Sequence, residues 1–236
     1  MRKIYLLLLC SMLSVSPLFA QINNQSSALP LGTVSFVLED RTINDRLHPD
    51  IVGSALLTDD WSQGAVTMIN GQHFYNVNLL FNIYDNILYF RRGEKEMCEF
   101  TIPVREFVFR YLKGNDSTRV LYRSGFPATG KNTENTFYEV LADGKFILLN
   151  FHYKNLVKVK GDYVRKDAYN KFEDRSQLYL YDAKQGKLIR LDAIEDLKTA
   201  VGAPADAAAQ ALGKTKIKLK NEDDVAALVA AINKQL

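Results

Sequence analysis

Short apolar runs that alternate every second residue, separated by turn dipeptides, limit this fold more than any other feature. Asn70-Gly71 lies between Val66-Thr67-Met68-Ile69 and Phe74-Tyr75. Asn-Gly accepts positive φ at both central turn positions, so the pair predicts a tight hairpin. Val77, Leu79, Phe81 and Ile83 then recur at period two. That spacing puts them on one face of a strand, with Asn76, Asn78 and Asn82 on the other.

The pattern continues along the chain. Asp85-Asn86 turns into an apolar run at 87–91, and Gly93-Glu94-Lys95 turns into another at 97–102. Pro103 interrupts, and Phe107, Phe109 and Tyr111 resume the alternation before a turn at Gly114-Asn115-Asp116. Asp143-Gly144 predicts a second hairpin, between strands at 136–141 and 145–151. Residues 178–181 read as a late strand, turned at Lys184-Gln185-Gly186. A further strand pattern lies at 33–38, and 40–50 is a charged connection. Turn signals about every ten residues predict an antiparallel sandwich or partial barrel.

Composition changes near Leu191. Asp192 is placed to cap a helix carrying Ile194, Leu197 and Val201, which Gly202 ends. Pro204 opens an alanine-rich helix that stops at Gly213. The lysines at 214, 216, 218 and 220 alternate with Thr215, Ile217 and Leu219. The segment resembles a short extended linker; its lysines suit contact with acidic lipid, or more simply a solvated strand edge. Asn221 caps a final helix whose stripe is Val225, Leu228, Val229 and Ile232. That stripe should dock on the sheet or the preceding helices, as a lid if the sheet encloses a pocket.

The N-terminus has the grammar of a secretory signal. Arg2 and Lys3 precede an apolar run from Ile4, Pro17 breaks it, and Ala20 offers a small residue before Gln21. The run is too short to span a bilayer, which takes ~20 apolar residues. Cleavage after Ala20 leaves 216 of the 236 residues; Cys10 suits lipidation poorly, because Leu9 stands where a small residue is needed. Losing Arg2 and Lys3 reduces the 30 basic residues to 28 against 27 acidic, a net of +1. Near-neutrality gives no argument for nucleic acid. No second apolar run is long enough for a transmembrane helix. Residues 21–29 read as a loose polar arm.

Candidate chemistry is sparse. Cys98 alone remains after cleavage, so no internal disulfide forms; between Met97 and Phe100 it reads as a buried apolar group. His48, His73 and His152 have no metal-ligand spacing, and His73 and His152 read as strand-end residues. No nucleophile elbow or phosphate loop is present. Asp59, Asp60 and Trp61, the only tryptophan, form the most individual segment. Two acids beside an indole would suit a cation or a sugar ring. The simpler reading is a turn anchored on the core by Trp61.

Gly53-Ser54-Ala55-Leu56-Leu57, Asp60-Trp61, Gly64, Asn70-Gly71, Tyr75, Val77, Leu79, Phe81-Asn82 and Tyr84-Asp85 form a connected pattern. Together with Phe137-Tyr138-Glu139-Val140-Leu141, Asp143-Gly144-Lys145, Tyr179 to Tyr181 and the ending around Glu222-Asp223-Asp224, it resembles a group of uncharacterised exported Bacteroidetes proteins. The resemblance departs at 203–211 and brings no established activity.

The sequence therefore predicts an α+β exported protein. Residues 1–20 are the signal peptide, 21–190 an antiparallel β-rich sandwich or partial barrel, and 191–236 a small C-terminal helical segment. The expected location is periplasmic or secreted, with outer-membrane association open. The expected role is a non-enzymatic, envelope-associated binding or structural module with no cofactor. Two alternatives stand: a carrier of a lipid or other apolar ligand, and a hydrolase in which His73 or His152 meets Cys98 or a serine. An envelope protein or an apolar ligand is the expected partner.

Overall fold

A computed structural model describes residues 35–37, 47–113, 116–161, 163, 165–213 and 216–236. The signal peptide, Cys10, the 21–29 arm, the turn residues 114–115 and the start of the lysine-rich linker lie outside the described residues. So do the predicted strand at 33–38, apart from 35–37, and most of the 40–50 connection.

The chain is α+β and rich in strand. Its strands are β1 (Ser35–Val37), β2 (Ser62–Met68), β3 (His73–Asn82), β4 (Ile87–Arg92), β5 (Glu96–Phe100), β6 (Val104–Lys113), β7 (Asp116–Arg123), β8 (Tyr138–Ala142), β9 (Phe146–Val159), β10 (Tyr169–Asp182) and β11 (Lys187–Arg190). Three helices follow: α1 (Ile194–Val201), α2 (Ala203–Ala211) and α3 (Glu222–Gln235). The strands form one sheet in the order β1-β5-β4-β3-β2-β6-β7-β8-β9-β10-β11, and every strand pair is antiparallel.

The connection from β5 to β6 forces this sheet to curl. In a flat sheet these strands would lie four steps apart, about 19 Å at ~4.8 Å per step. Only Thr101, Ile102 and Pro103 join them, and four extended steps reach about 14 Å. Phe81 on β3 meets Phe107 on β6 and Tyr122 on β7 at ring distances of 5.3 and 5.2 Å. Of the two architectures the pattern allowed, the partial barrel is the one present, as one continuous sheet.

The concave face of β2–β7 is filled by the strands' own side chains. Val77, Leu79, Phe81 and Ile83 all lie there, with Phe90, Phe107, Phe109, Tyr122 and Phe137. Phe107 stacks on Tyr122 at 5.0 Å and 5° and meets Phe137 edge-on at 5.0 Å. The predicted hairpin at Asn70-Gly71 joins β2 to β3; Gly71 has φ +84° and the Met68 amide donates to the Gln72 carbonyl. Asn82, read as an outward polar residue, is fully buried instead. Its Oδ1 accepts from the amides of Tyr84 and Asp85, so it builds the next turn.

The later strands bury their concave face under helices. Leu148, Leu178 and Leu180 pack against Leu197, Ala205, Ala208 and the whole α3 stripe of Val225, Leu228, Val229 and Ile232. The helical segment thus shares its core with the β domain. The stripe packs on the apolar side chains of β9, β10 and the other helices, so α3 is a structural layer of this core. Asn221 caps α3 as expected, accepting from the Asp224 amide. Asp192 does not cap α1. The N-cap position is Ala193, and the Asp196 carboxylate accepts from the amides of both Asp192 and Ala193. Those two bonds hold the Asp196 carboxyl below its ordinary pKa. The lysine-rich segment is no strand edge: 216–218 has no strand geometry, and Ile217 and Leu219 pack beneath the helices. No described helix is long and apolar enough to cross a membrane.

Candidate functional site

β9 and β10 pair over fourteen residues each, well beyond the reach of β8 and β11. Phe151 and Tyr153 on β9, and Gln177 and Tyr179 on β10, share the convex face by alternation. Phe151 is the register partner of Gln177, and Tyr179 of Arg190. The Phe151 and Tyr153 rings stack on each other, with centroids 5.2 Å apart and planes inclined by 13°. They extend an aromatic surface that runs through Tyr138 to Tyr179, with ring distances of 5.6 and 5.5 Å.

The loop between β7 and β8 forms a wall over this surface. Its tip closes by paired bonds, Thr129 amide to Asn132 carbonyl at 3.0 Å and the reverse at 2.9 Å. Gly130, at φ +58°, supplies the left-handed turn that closure needs. Phe126, buried, fixes the loop's base edge-on to Tyr138 and Tyr181. Asn132 Nδ2 donates to the Tyr138 hydroxyl at 3.0 Å and ties the tip down.

The space between wall and strands is a cleft of about 330 Å³, lined by Lys131, Asn132, Phe151, Tyr153, Gln177, Tyr179 and Arg190 among others. Gln177 is held by its Nε2, which donates to the carbonyls of Leu191 at 2.7 Å and Leu178 at 3.1 Å. Arg190 reaches Asp192 at 2.8 Å, but both side chains are well exposed, so that pair is weak and exchangeable. Burial pushes the Tyr138 hydroxyl up to about 12 and raises Tyr179 as well. Both phenols are therefore neutral at ordinary pH. Aromatic rings, oriented amides and cations at the rim suit recognition; they do not assemble a nucleophile and base.

The residues singled out in the sequence lie elsewhere. Asp59 and Asp60 are exposed. Trp61 is half-buried beside Leu56, Leu80, Tyr89 and Met97, and the Arg91 guanidinium lies 4.5 Å over its ring. No group of three or more His, Cys, Asp or Glu placed to hold a metal occurs among the described residues. His48 meets the Asp85 carboxylate at 2.9 Å, and His73 meets the Thr67 hydroxyl at 3.0 Å. Cys98 is buried in the barrel core, where desolvation raises its thiol pKa.

His152 sits mid-strand on β9, not at a strand end. Its Nε2 meets the Glu139 carboxylate at 2.5 Å. Glu139 pairs in register with Tyr122 on one side and Asn150 on the other. Glu139, Asn150 and His152 thus form a polar seam on the concave face, between the aromatic core and the helix-covered core. Asn150 is fully buried, and neither atom of its carboxamide has a hydrogen-bond partner among the described residues. Ser176 lies opposite His152 in register, but no hydrogen bond joins its hydroxyl to the ring.

No family model, curated protein or solved structure matches this chain.

Proposed function

We propose that this protein is an exported, non-enzymatic binding module of the periplasm or envelope, and that its cleft takes an acid-bearing sugar. The observation that carries this reading is the Phe151–Tyr153 ring stack lining a cleft whose polar groups are fixed amides and cations. A pyranose has an apolar C–H face and a rim of hydroxyls. The first matches the aromatic floor, and the second matches Asn132 and Gln177. Arg190 and Lys131 supply the positive charge that a sugar carboxylate calls for. Export rests on the signal-peptide grammar at 1–20 and on the resemblance to exported Bacteroidetes proteins.

The alternatives find less support. The barrel's concave side is filled by interlocked aromatic rings, which leaves an apolar cargo little room. A hydrolase needs Cys98 or a serine within reach of a histidine, and Cys98 faces that same core.

Isothermal titration of the protein with neutral and uronate-containing oligosaccharides tests the proposal. The expected result is binding of the uronate series, weakened at least about ten-fold in Tyr153→Ala without a change in melting temperature. Absence of binding at millimolar sugar, or equal affinity in the variant, would overturn it.

A further inference from the structure

The same convex face carries a second groove, several strands away, whose electrostatics are unusual. Arg110 on β6 and Arg119 on β7 are direct register partners. Opposed like charges in an antiparallel pair are destabilising. Neither guanidinium has a carboxylate partner among the described residues. Four register pairs along the same strands, and on the same face, the arrangement is the opposite. There Glu106 faces Arg123, and Arg123 binds both Glu106 at 2.9 Å and Asp143 at 3.0 Å. The contrast isolates Arg110 and Arg119 as a concentrated, uncompensated positive site.

The groove beside them is built by a bulge. The register of β2 against β3 shifts between Gly64 and Ala65, and Asn76 takes φ +56° opposite the shift. A Cβ at Gly64 would lie 2.1 Å from the Val108 carbonyl oxygen, so only glycine permits this approach of β2 to β6. The result is a depression of about 160 Å³ lined by Gln63, Tyr75, Asn76, Arg110 and Arg119, among others, with no acidic residue in its wall among the described residues. Tyr75 is exposed at its rim.

We propose that this groove is a binding site for a tetrahedral oxyanion of the phosphate or sulfate type. Two guanidiniums offer planar forks of N–H donors that match such oxygens, and Gln63 and Asn76 add neutral amide donors. A bound dianion converts the repulsion between Arg110 and Arg119 into two attractions. The site is separate from the aromatic cleft and stands whether or not that cleft binds sugar.

The test uses the full mature chain at low ionic strength, with Arg119→Gln and Arg110→Gln variants. Inorganic phosphate and sulfate are titrated calorimetrically. Sedimentation with vesicles of phosphatidylglycerol, and with neutral phosphatidylcholine vesicles, forms the second arm. The inference expects the wild type to bind and each variant to bind at least about ten-fold more weakly, the factor that 1.4 kcal/mol of charge-assisted bonding represents. Without anion, each variant should melt no lower than wild type, because repulsion has been removed. Binding of the free ions assigns a soluble oxyanion; binding only to phosphatidylglycerol vesicles assigns a lipid headgroup. No binding in either arm, or binding unchanged in both variants, would overturn the inference.

Discussion

The two faces of this one sheet are put to different uses. The concave face is covered by aromatic rings from the barrel strands in one half and by three helices in the other, up to the outer ends of β9 and β10. The convex face carries the aromatic cleft, the arginine groove and the exposed Tyr75. The difference is physical. Curling brings concave side chains together and spreads convex ones apart, so the inside forms the two largest cores while the outside keeps gaps between smaller clusters around Tyr89 and Tyr138. Stability should therefore respond most to concave substitutions, and recognition to convex ones outside those two clusters.

The largest expected effect is on the concave side. Phe107 is buried and contacts Phe81, Phe109, Tyr122 and Phe137. Phe107→Ala should cost about 3–5 kcal/mol in denaturant unfolding. A loss under about 1 kcal/mol would mean that this core is loosely packed. Leu228→Ala, beneath α3, should cost about 2–5 kcal/mol. If the variant keeps its stability and only the helix frays, the helical layer is an appendage and the shared core is wrong.

Tyr138 sharpens the comparison through pH. Its pKa is raised by burial to about 12, from an ordinary value near 10. The folded state therefore holds the proton more tightly than the unfolded chain. Stability is intact below pH ~10 and falls as pH rises toward ~12, by about 2 kcal/mol. Tyr138→Phe should flatten that alkaline loss; an unchanged slope would assign it to another group.

A smaller effect is expected at the polar seam. Asn150 buries a carboxamide with no partner among the described residues. Asn150→Leu should raise stability by roughly 1 kcal/mol, since an unsatisfied polar group is removed at similar volume. A fall in the melting temperature would show that the carboxamide has a partner in solution, such as an ordered water.

Much of the barrel was legible because its signals are local. Asn70-Gly71 and Asp143-Gly144 set their hairpins within a few residues, and the 77–83 alternation marks a strand. The α3 stripe is local in the same way. The missed parts depend on distant residues. β7 runs Val120, Leu121 and Tyr122 together, β11 is four residues with Leu188 and Ile189 on opposite faces, and the outer half of the β9–β10 ribbon has scattered apolar residues such as Leu156, Val157 and Phe172, so none shows a sustained alternation and pairing with neighbours makes them strands. The barrel's closure follows from a connection of three residues between strands four places apart, which no single window reveals. Asp59, Asp60 and Trp61 drew attention by rarity, yet Trp61 packs against Leu80 and Met97. The aromatic cleft gave no comparable signal. Its floor comes from 151–153 and its wall from 129–132, and only the fold brings them together.

The account's central claim is that recognition lies on the convex face, at the cleft. Backbone amide NMR during titration with a uronate oligosaccharide tests it directly. The expected shifts cluster at Lys131, Asn132, Phe151, Tyr153, Tyr179 and Arg190, while amides of Val77, Phe107 and Leu228 stay in place. Shifts confined to the concave rows, or no shifts at saturating sugar, would contradict it.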